Sequence, residues 1–164
     1  MKIKNLFITI FVFFSLVKIY SANAEDNSKL RIVSLNSLSA DIVSKLDSES
    51  LVGIPGSSLL KKNVDLENKV VVSSGRMPPS IEKIIELKPD LVIGSKGFHD
   101  KVLSKLNQLN IRTLETETKS IENLESLIEK LSKKLNRDKK ILLNKIEDCY
   151  KLPIKTKGSA AVLA

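Results

Sequence analysis

Short apolar runs along the chain alternate with longer segments in which apolar residues recur at every third or fourth position. The first pattern predicts buried strands, and the second predicts helices that pack one face against a sheet. The predicted strands cover 31–35, 51–54, 70–72, 90–94 and 111–114, and the predicted helices between them cover 39–46, 80–88 and 102–109. Strands and helices that alternate at this spacing predict an α/β fold, in which a parallel, Rossmann-like sheet is covered by helices on both faces.

The segment from Ser80 to Gly94 carries the clearest local signals. Ser80 suits the cap of a helix, and Glu82 lies in the first turn, where a carboxylate interacts favourably with the helix dipole. Pro89 ends that helix, and the apolar run that follows is typical of a strand buried on both faces. The segment is therefore a helix, a turn and a strand, followed by a loop at the carboxyl end of that strand.

Ligands bind outside the carboxyl ends of the strands in open parallel sheets. The loops in that position cover 36–39, 55–58, 73–79 and 95–99, and they are rich in serine, glycine, lysine and arginine. The last of them holds His99, the only histidine in the sequence. These four loops form the predicted binding site.

The first 24 residues have the layout of a secretory signal. Lys2 and Lys4 precede the apolar run 6–17, and Ala22-Asn23-Ala24 follows, so cleavage is predicted after Ala24. The alternative is an uncleaved membrane anchor. However, Lys18 interrupts the apolar run, which is shorter than the roughly 20 residues that a spanning helix needs.

The charge of the chain changes once this leader is set aside. The formal net charge of +8 falls to +5 because Lys2, Lys4 and Lys18 leave with the leader. The remaining lysines and glutamates are mixed along helices, which is typical of solvated helix faces. A nucleic-acid surface needs clustered basic residues with stacking aromatics, and the exported part keeps only Phe98 and Tyr150 as aromatics. No nucleic-acid partner is predicted.

The character of the sequence changes after residue 118. Apolar residues at helical spacing continue through 121–135 and again after Asn136, and they predict a lysine-rich helical linker at 119–153. The run 158–164 predicts the first strand of a second lobe, which would then be cut short. The predicted organisation is a leader at 1–24, an α/β lobe at 29–118, the linker at 119–153, and the start of a truncated lobe at 158–164.

Three stretches resemble the substrate-binding proteins of ABC importers for ferric siderophores, haem and cobalamin. The run 31–35 with Ala40-Asp41-Ile42 resembles the family's opening strand and first helix, and the run 51–54 resembles its second strand. The run 80–93, which ends in Leu-Lys-Pro-Asp-Leu-Val-Ile, resembles its most recognisable segment. The resemblance covers roughly residues 30–152. It implies two α/β lobes joined by one long helix, with the ligand held between the lobes.

One consequence of the resemblance concerns the membrane partner. It implies that Glu82 lies on the surface of the lobe and docks onto arginines of an ABC permease. In its own right, Glu82 is also a first-turn helix acid, a role that contributes about 0.3–1 kcal/mol. Glu82 can have both roles, permease docking and stabilisation of the helix. Permease docking is therefore an expectation that the position in the helix alone does not establish.

The resemblance also implies that the four loops contact the ligand. The candidate ligand-binding residues are Ser37, Ser57, Ser58, Arg76, Ser95, Lys96, Phe98 and His99. Arg76 and Lys96 suit an anionic ligand, such as a haem propionate or a siderophore carboxylate. Serines stand where family members often present an aromatic, which weakens a cobalamin hypothesis. His99 either ligates haem iron or caps the helix that begins near Asp100, and Met77 is interpreted as packing rather than as a metal ligand.

Residues and resemblance together predict a periplasmic substrate-binding protein that is not an enzyme. It would deliver an iron chelate, haem or a cobalamin-like ligand to an ABC permease in the inner membrane. The alternative is a secreted single-lobe interaction module, or a truncated relic without function. No Gly-x-Ser-x-Gly elbow, phosphate loop or paired histidine supports an enzyme, although Ser34, Ser37 and Ser39 share one loop. Cys149 is the single cysteine, so neither an internal disulfide nor a zinc site is predicted, and no cofactor is expected.

Overall fold

The computed structural model describes residues 29–60, 63–74 and 77–144. The predicted leader, Arg76, Cys149 and the predicted strand at 158–164 therefore lie outside the described residues. Within the described residues, no helix is both long and apolar enough to cross a membrane.

Five parallel strands form one sheet at the centre of the described residues. They are β1 (Ile32–Ser34), β2 (Leu51–Gly56), β3 (Val70–Ser74), β4 (Leu91–Ser95) and β5 (Thr113–Thr116). Their order is β3-β2-β1-β4-β5, and every neighbouring pair is parallel. After β1, the strands β2 and β3 are added on one side of it, and β4 and β5 are then added on the other side. The loops that follow β1 and β4 therefore diverge. This topology confirms the predicted Rossmann-like α/β fold, and the divergence is the point where such sheets bind ligands.

Among the described residues, four longer α-helices connect and cover the strands. They are α1 (Ser37–Asp47), α2 (Ile81–Glu86), α3 (Asp100–Gln108) and α4 (Ile121–Leu135). Asn36 caps α1, Ser80 caps α2 and Ser120 caps α4, each by accepting a hydrogen bond from a first-turn backbone N–H. Because Asn36 supplies the cap, α1 begins at Ser37, two residues before the predicted helix.

Two hydrophobic cores lie on opposite faces of the sheet, as the alternation of side chains along a strand requires. Ile32 points toward α1 and α4, whereas the next residue, Val33, points toward α2 and α3, and both side chains are fully buried. Burying one such side chain contributes about 1.5–3 kcal/mol. The two-sided burial therefore holds β1 rigidly at the centre of the sheet.

The boundaries of the elements differ from the sequence predictions by a few residues, and β2 and β5 are two examples. Strand β2 continues through Pro55 and Gly56, which the sequence pattern assigned to a loop. Pro55 has no N–H to donate, and the pairing of β2 with β3 shifts register at that residue. Strand β5 begins at Thr113 rather than at 111.

The predicted linker begins with a helix that packs against the lobe. Leu127, Ile128 and Leu131 on α4 are buried in the core with α1. Helix α4 ends at Asn136, whose φ of 50° is left-handed, and helical structure resumes at 140–144. Within the described residues, the helical region is thus divided at Asn136 and not one continuous helix.

Candidate functional site

The loops after β1, β2, β3 and β4 meet at the carboxyl edge of the sheet. They enclose a cavity of about 440 Å³, which we call the loop depression. It is lined by Leu35, Asn36, Ser37, Pro55, Gly56, Ser57, Ser58, Ser73, Met77, Pro79, Ser95, Phe98 and His99. Seven of the eight predicted ligand-binding residues lie among the described residues, and six of these seven are in this lining; the seventh is Lys96. The topology therefore brings the four predicted loops together.

Asn36 lines the loop depression and joins three strand ends there. Its side-chain oxygen accepts a hydrogen bond from the Ser39 N–H at 2.8 Å, and its side-chain amide donates to Thr116 Oγ1 at 3.2 Å. Thr116 Oγ1 in turn donates to the Gly94 carbonyl at 3.1 Å. The ends of β1, β4 and β5 are thus linked by side chains. Sequence reasoning did not select Asn36, although its position before the first apolar helix is a recognisable cap signal.

The loop after β4 is closed by its own hydrogen bonds. The N–H groups of Phe98 and His99 both donate to the Ser95 carbonyl, at 3.2 and 2.9 Å. Gly97, with a φ of 79°, donates its N–H to Asp100 Oδ1 at 2.7 Å. Lys96 donates its N–H to the Thr116 carbonyl at 3.0 Å. Because these backbone donors are used internally, side chains rather than backbone amides are left to contact a ligand here.

His99 is held inside this loop. Its ring nitrogen Nδ1 accepts a hydrogen bond from the Ser95 N–H at 2.9 Å, and the residue is only 5% exposed. Burial lowers the pKa of His99, and hydrogen bonding to the Ser95 backbone and then the charge of Asp100 act in the opposite direction. His99 occupies the cap position of α3, which is one of the two alternatives stated for this residue, but its side chain makes no cap hydrogen bond. The side chain instead bonds backward, to the end of β4.

Phe98 and Met77 form an apolar rim on the depression. Phe98 is 80% exposed and Met77 is 69% exposed, so the interpretation of Met77 as a packing residue is wrong. The Phe98 ring meets the His99 ring edge to face, with centroids 4.8 Å apart and planes at 76°. Exposed apolar side chains beside a polar cavity are typical of a contact surface.

Lys96 belongs to a different cavity. Its Nζ lies 3.7 Å from Glu117 Oε2, and Lys119 Nζ lies 2.6 Å from Glu117 Oε1. The lysine at 119 is the main reason why the pKa of Glu117 is lowered. The surrounding space of about 310 Å³, which we call the charged cavity, is lined by Lys96, Leu114, Glu115, Thr116, Glu117, Asn123, Ser126, Leu127 and Lys130. The structure therefore does not bring Lys96 together with the other predicted ligand contacts.

Glu82 lies in the first turn of α2, away from the loop depression. Its Oε2 accepts a hydrogen bond from the Ser80 hydroxyl at 3.0 Å. The backbone N–H of Glu82 and then the Ser80 hydroxyl lower the pKa of the Glu82 carboxyl. The carboxylate is exposed, so its helix role leaves it accessible from outside. Permease docking remains a prediction.

The described residues offer little catalytic or metal-binding chemistry. No three histidine, cysteine, aspartate or glutamate side chains among them gather closely enough to hold a metal ion. The Ser34 hydroxyl donates to the Asn36 carbonyl, and the His99 Nδ1 accepts from Ser95. The arrangement in this part of the chain is that of a hydrogen-bonding surface.

Comparison with known proteins places the chain in a family. The model of the periplasmic binding protein family matches residues 32–142, and the chain belongs to this family of solute-binding proteins. A curated relative, the iron-uptake system-binding protein of Bacillus subtilis (strain 168), is 30% identical over 98 residues, which are 58% of this chain and 31% of the relative. The family resemblance seen in the sequence is thereby confirmed.

Two solved structures extend the comparison. An ABC transporter substrate-binding protein from Listeria monocytogenes EGD-e is 26% identical, with a TM-score of 0.62, over 74% of this chain and 46% of that one. Staphylococcus aureus SirA, complexed with staphyloferrin B, is 28% identical, with a TM-score of 0.55, over 74% of this chain and 43% of that one. The chain thus spans less than half the length of these relatives.

Proposed function

We propose that this chain is the substrate-binding part of an ABC import system for an iron chelate, and that the loop depression contacts the chelate. The observation that carries the proposal is the meeting of four loops at the strand ends, in a chain of the periplasmic binding protein family. The relatives point to the same ligand class, since one serves iron uptake and another is complexed with staphyloferrin B. In this proposal the chain binds its ligand without transforming it.

The described lining favours a ferric siderophore over haem. Serine hydroxyls can hydrogen-bond to the polar atoms of a chelator, while Phe98 and Met77 cover its apolar parts. A siderophore already fills the coordination of its iron, so it needs no ligand from the protein. Haem held by a histidine would need a ring nitrogen of His99, and Nδ1 is occupied by the Ser95 N–H. A cobalamin-like ligand has the least support, because Phe98 is the only phenylalanine, tyrosine or tryptophan among the lining residues described.

The proposed mechanism has three steps outside the inner membrane. The leader directs export to the periplasm, the loop depression captures the chelate, and the loaded protein docks on the permease through Glu82. The exposure of Glu82 at the start of α2 supports the last step. This chain covers 46% of the relative from Listeria monocytogenes EGD-e, so further chain is available in that relative to enclose a ligand.

The proposal is tested by measuring chelate binding to the full chain. The sequence contains no tryptophan, so calorimetry is preferable to intrinsic fluorescence. The probes are ferric staphyloferrin B, a ferric hydroxamate, a ferric catecholate, haemin and cyanocobalamin. We expect saturable binding of one ferric siderophore. No binding of any of the five probes would overturn the proposal.

Phe98→Ala tests whether binding occurs at the loop depression. We expect its affinity for the bound siderophore to fall at least tenfold, because an exposed aromatic ring at the rim is removed. Val64→Ala is the matched control, since Val64 is 75% exposed and lies outside the lining. Equal affinities of the two variants would place the binding surface elsewhere.

A further inference from the structure

We infer that His99 is a positioning residue of the ligand site, which holds the loop 95–99 closed and sets the direction of Phe98 over the loop depression. In this role the ring is neutral, accepts through Nδ1 and does not coordinate iron. The ligand-binding part of this inference rests on the proposed function. The loop-closing part concerns the ligand-free chain and stands independently.

Two hydrogen bonds between the same residues carry the inference. Ser95 donates its N–H to His99 Nδ1 at 2.9 Å, and His99 donates its N–H to the Ser95 carbonyl at 2.9 Å. Ser95 is the last residue of β4, and His99 precedes the first residue of α3. The pair therefore clamps the end of a central strand to the start of the next helix, with the loop between them.

The hydrogen bond also fixes the tautomer of the ring. A neutral imidazole carries one proton, so an accepting Nδ1 places that proton on Nε2. Histidines that bind metals use one nitrogen as the ligand and donate the other N–H to an acceptor. If Nε2 bound iron, the proton of the neutral ring would lie on Nδ1. The Nδ1–H and the Ser95 N–H would then be two donors that face each other. The neutral ring is thus suited to holding the loop and unsuited to holding iron.

Packing leaves the ring little freedom. His99 is 5% exposed and sits over Gly94, where an added Cβ would lie 2.9 Å from His99 Cβ. Phe98 is 80% exposed, and its described ring contact is with His99, at 4.8 Å between centroids. Because the buried ring supports the exposed one, movement of His99 would change where Phe98 points.

Protonation would open this arrangement. A second proton would turn Nδ1 into a donor facing the Ser95 N–H. Burial lowers the pKa of His99 and has the largest influence, while hydrogen bonding to the Ser95 backbone and then the Asp100 carboxylate, which accepts from Gly97, oppose this shift. The loop-closing contribution is therefore fully present above the ordinary histidine pKa of about 6.5 and declines as pH falls below it.

Two substitutions distinguish the hydrogen-bond acceptor of the His99 side chain from the packing of its ring. In His99→Asn, the side-chain oxygen stands as many bonds from the backbone as Nδ1 and accepts without titrating. In His99→Phe, a ring remains but the acceptor is lost. We expect Ser95 amide exchange in the ligand-free full chain to be at least fivefold faster in His99→Phe than in the wild type. His99→Asn should keep slow exchange down to pH 5, whereas the wild type should lose it.

Nitrogen NMR of the imidazole gives a readout that needs no variant. We expect Nδ1 to be unprotonated and Nε2 protonated at pH 7.5. A proton on Nδ1, or unchanged Ser95 exchange in His99→Phe, would overturn the inference. Should His99→Phe fail to fold, the tautomer and the pH dependence of Ser95 exchange in the wild type decide the matter.

Ligand binding supplies the last test, with ferric staphyloferrin B and haemin as probes. We expect siderophore affinity to fall about fivefold in His99→Phe and to lose its acid dependence in His99→Asn. A histidine-ligated haem absorption spectrum that disappears in both variants would contradict the inference. If neither probe binds, the proposed function fails, but Ser95 exchange and the tautomer still decide the role of His99.

Discussion

The loop depression and the charged cavity lie side by side at the same edge of the sheet, but their polar groups are used differently. In the charged cavity, the carboxylate of Glu117 is held between Lys96 and Lys119. In the loop depression, the lining serines stand beside exposed Phe98 and Met77. Charge is thus satisfied within the protein in one cavity, whereas the other presents hydroxyl groups and apolar surface.

The difference teaches where recognition resides in this lobe. An exposed ion pair such as Lys96 with Glu117 contributes little to stability, yet it is enough to direct a long side chain. The loop after β4 uses its backbone N–H groups internally, so its side chains remain for a ligand. Neutral hydrogen bonding and apolar contact, rather than charge, therefore define the described part of the candidate site.

The largest effect is expected from filling the space under His99. In Gly94→Ala, the new Cβ would lie 2.9 Å from His99 Cβ and 3.0 Å from Leu103 Cδ1. We expect unfolding free energy to fall by about 1–3 kcal/mol, because the neighbouring backbone must shift. Urea unfolding measures the change, and Ser95→Ala at the next position is the control, with a loss below about 1 kcal/mol. An unchanged midpoint for Gly94→Ala would show that the depression is not tightly built.

An intermediate effect is expected at Asn36, which lines the loop depression and links it to β5. Asn36→Ala removes both the cap of α1 and the link to Thr116, and we expect a loss of about 0.5–2 kcal/mol. Asn36→Asp keeps the capping oxygen and removes only the donor to Thr116, so it should lose less. Urea unfolding of both variants measures the difference, and equal losses would show that the cap contributes nothing.

Sequence reasoning predicted the sheet and the four loops because both follow from local patterns. Apolar runs mark the strands, and the carboxyl ends of parallel strands meet at one edge whatever the side chains are. The link from Asn36 to Thr116 joins residues 80 positions apart, so no local pattern contains it. The direction of the Lys96 side chain likewise follows from no local pattern, since it depends on Glu117 beyond the next strand.

Side-chain exposure was the other quantity that the sequence did not provide. Met77 is apolar and follows a strand, which is as typical of a core residue as of a rim residue, and the fold leaves it 69% exposed. His99 shows the opposite case, because a polar residue in a glycine-containing loop is 5% exposed. Exposure depends on which loops meet, and that is settled by the fold as a whole.

The smallest effect is expected from Lys96→Gln, and it tests the comparison most directly. The substitution removes the amine of Lys96, but Glu117 stays paired with Lys119. We therefore expect the free energy of unfolding to change by less than about 0.5 kcal/mol. Siderophore affinity, measured by calorimetry beside Phe98→Ala, should stay within about twofold of the wild type, because the side chain lies outside the loop depression. Raising the salt concentration should likewise leave siderophore affinity unchanged. Added salt weakens interactions between exposed charges, whereas the described contacts of the loop depression are neutral. A tenfold loss of affinity would mean that Lys96 leaves Glu117 to reach the ligand. The two cavities would then form one site, and charge would have to be counted among the groups that recognise the chelate.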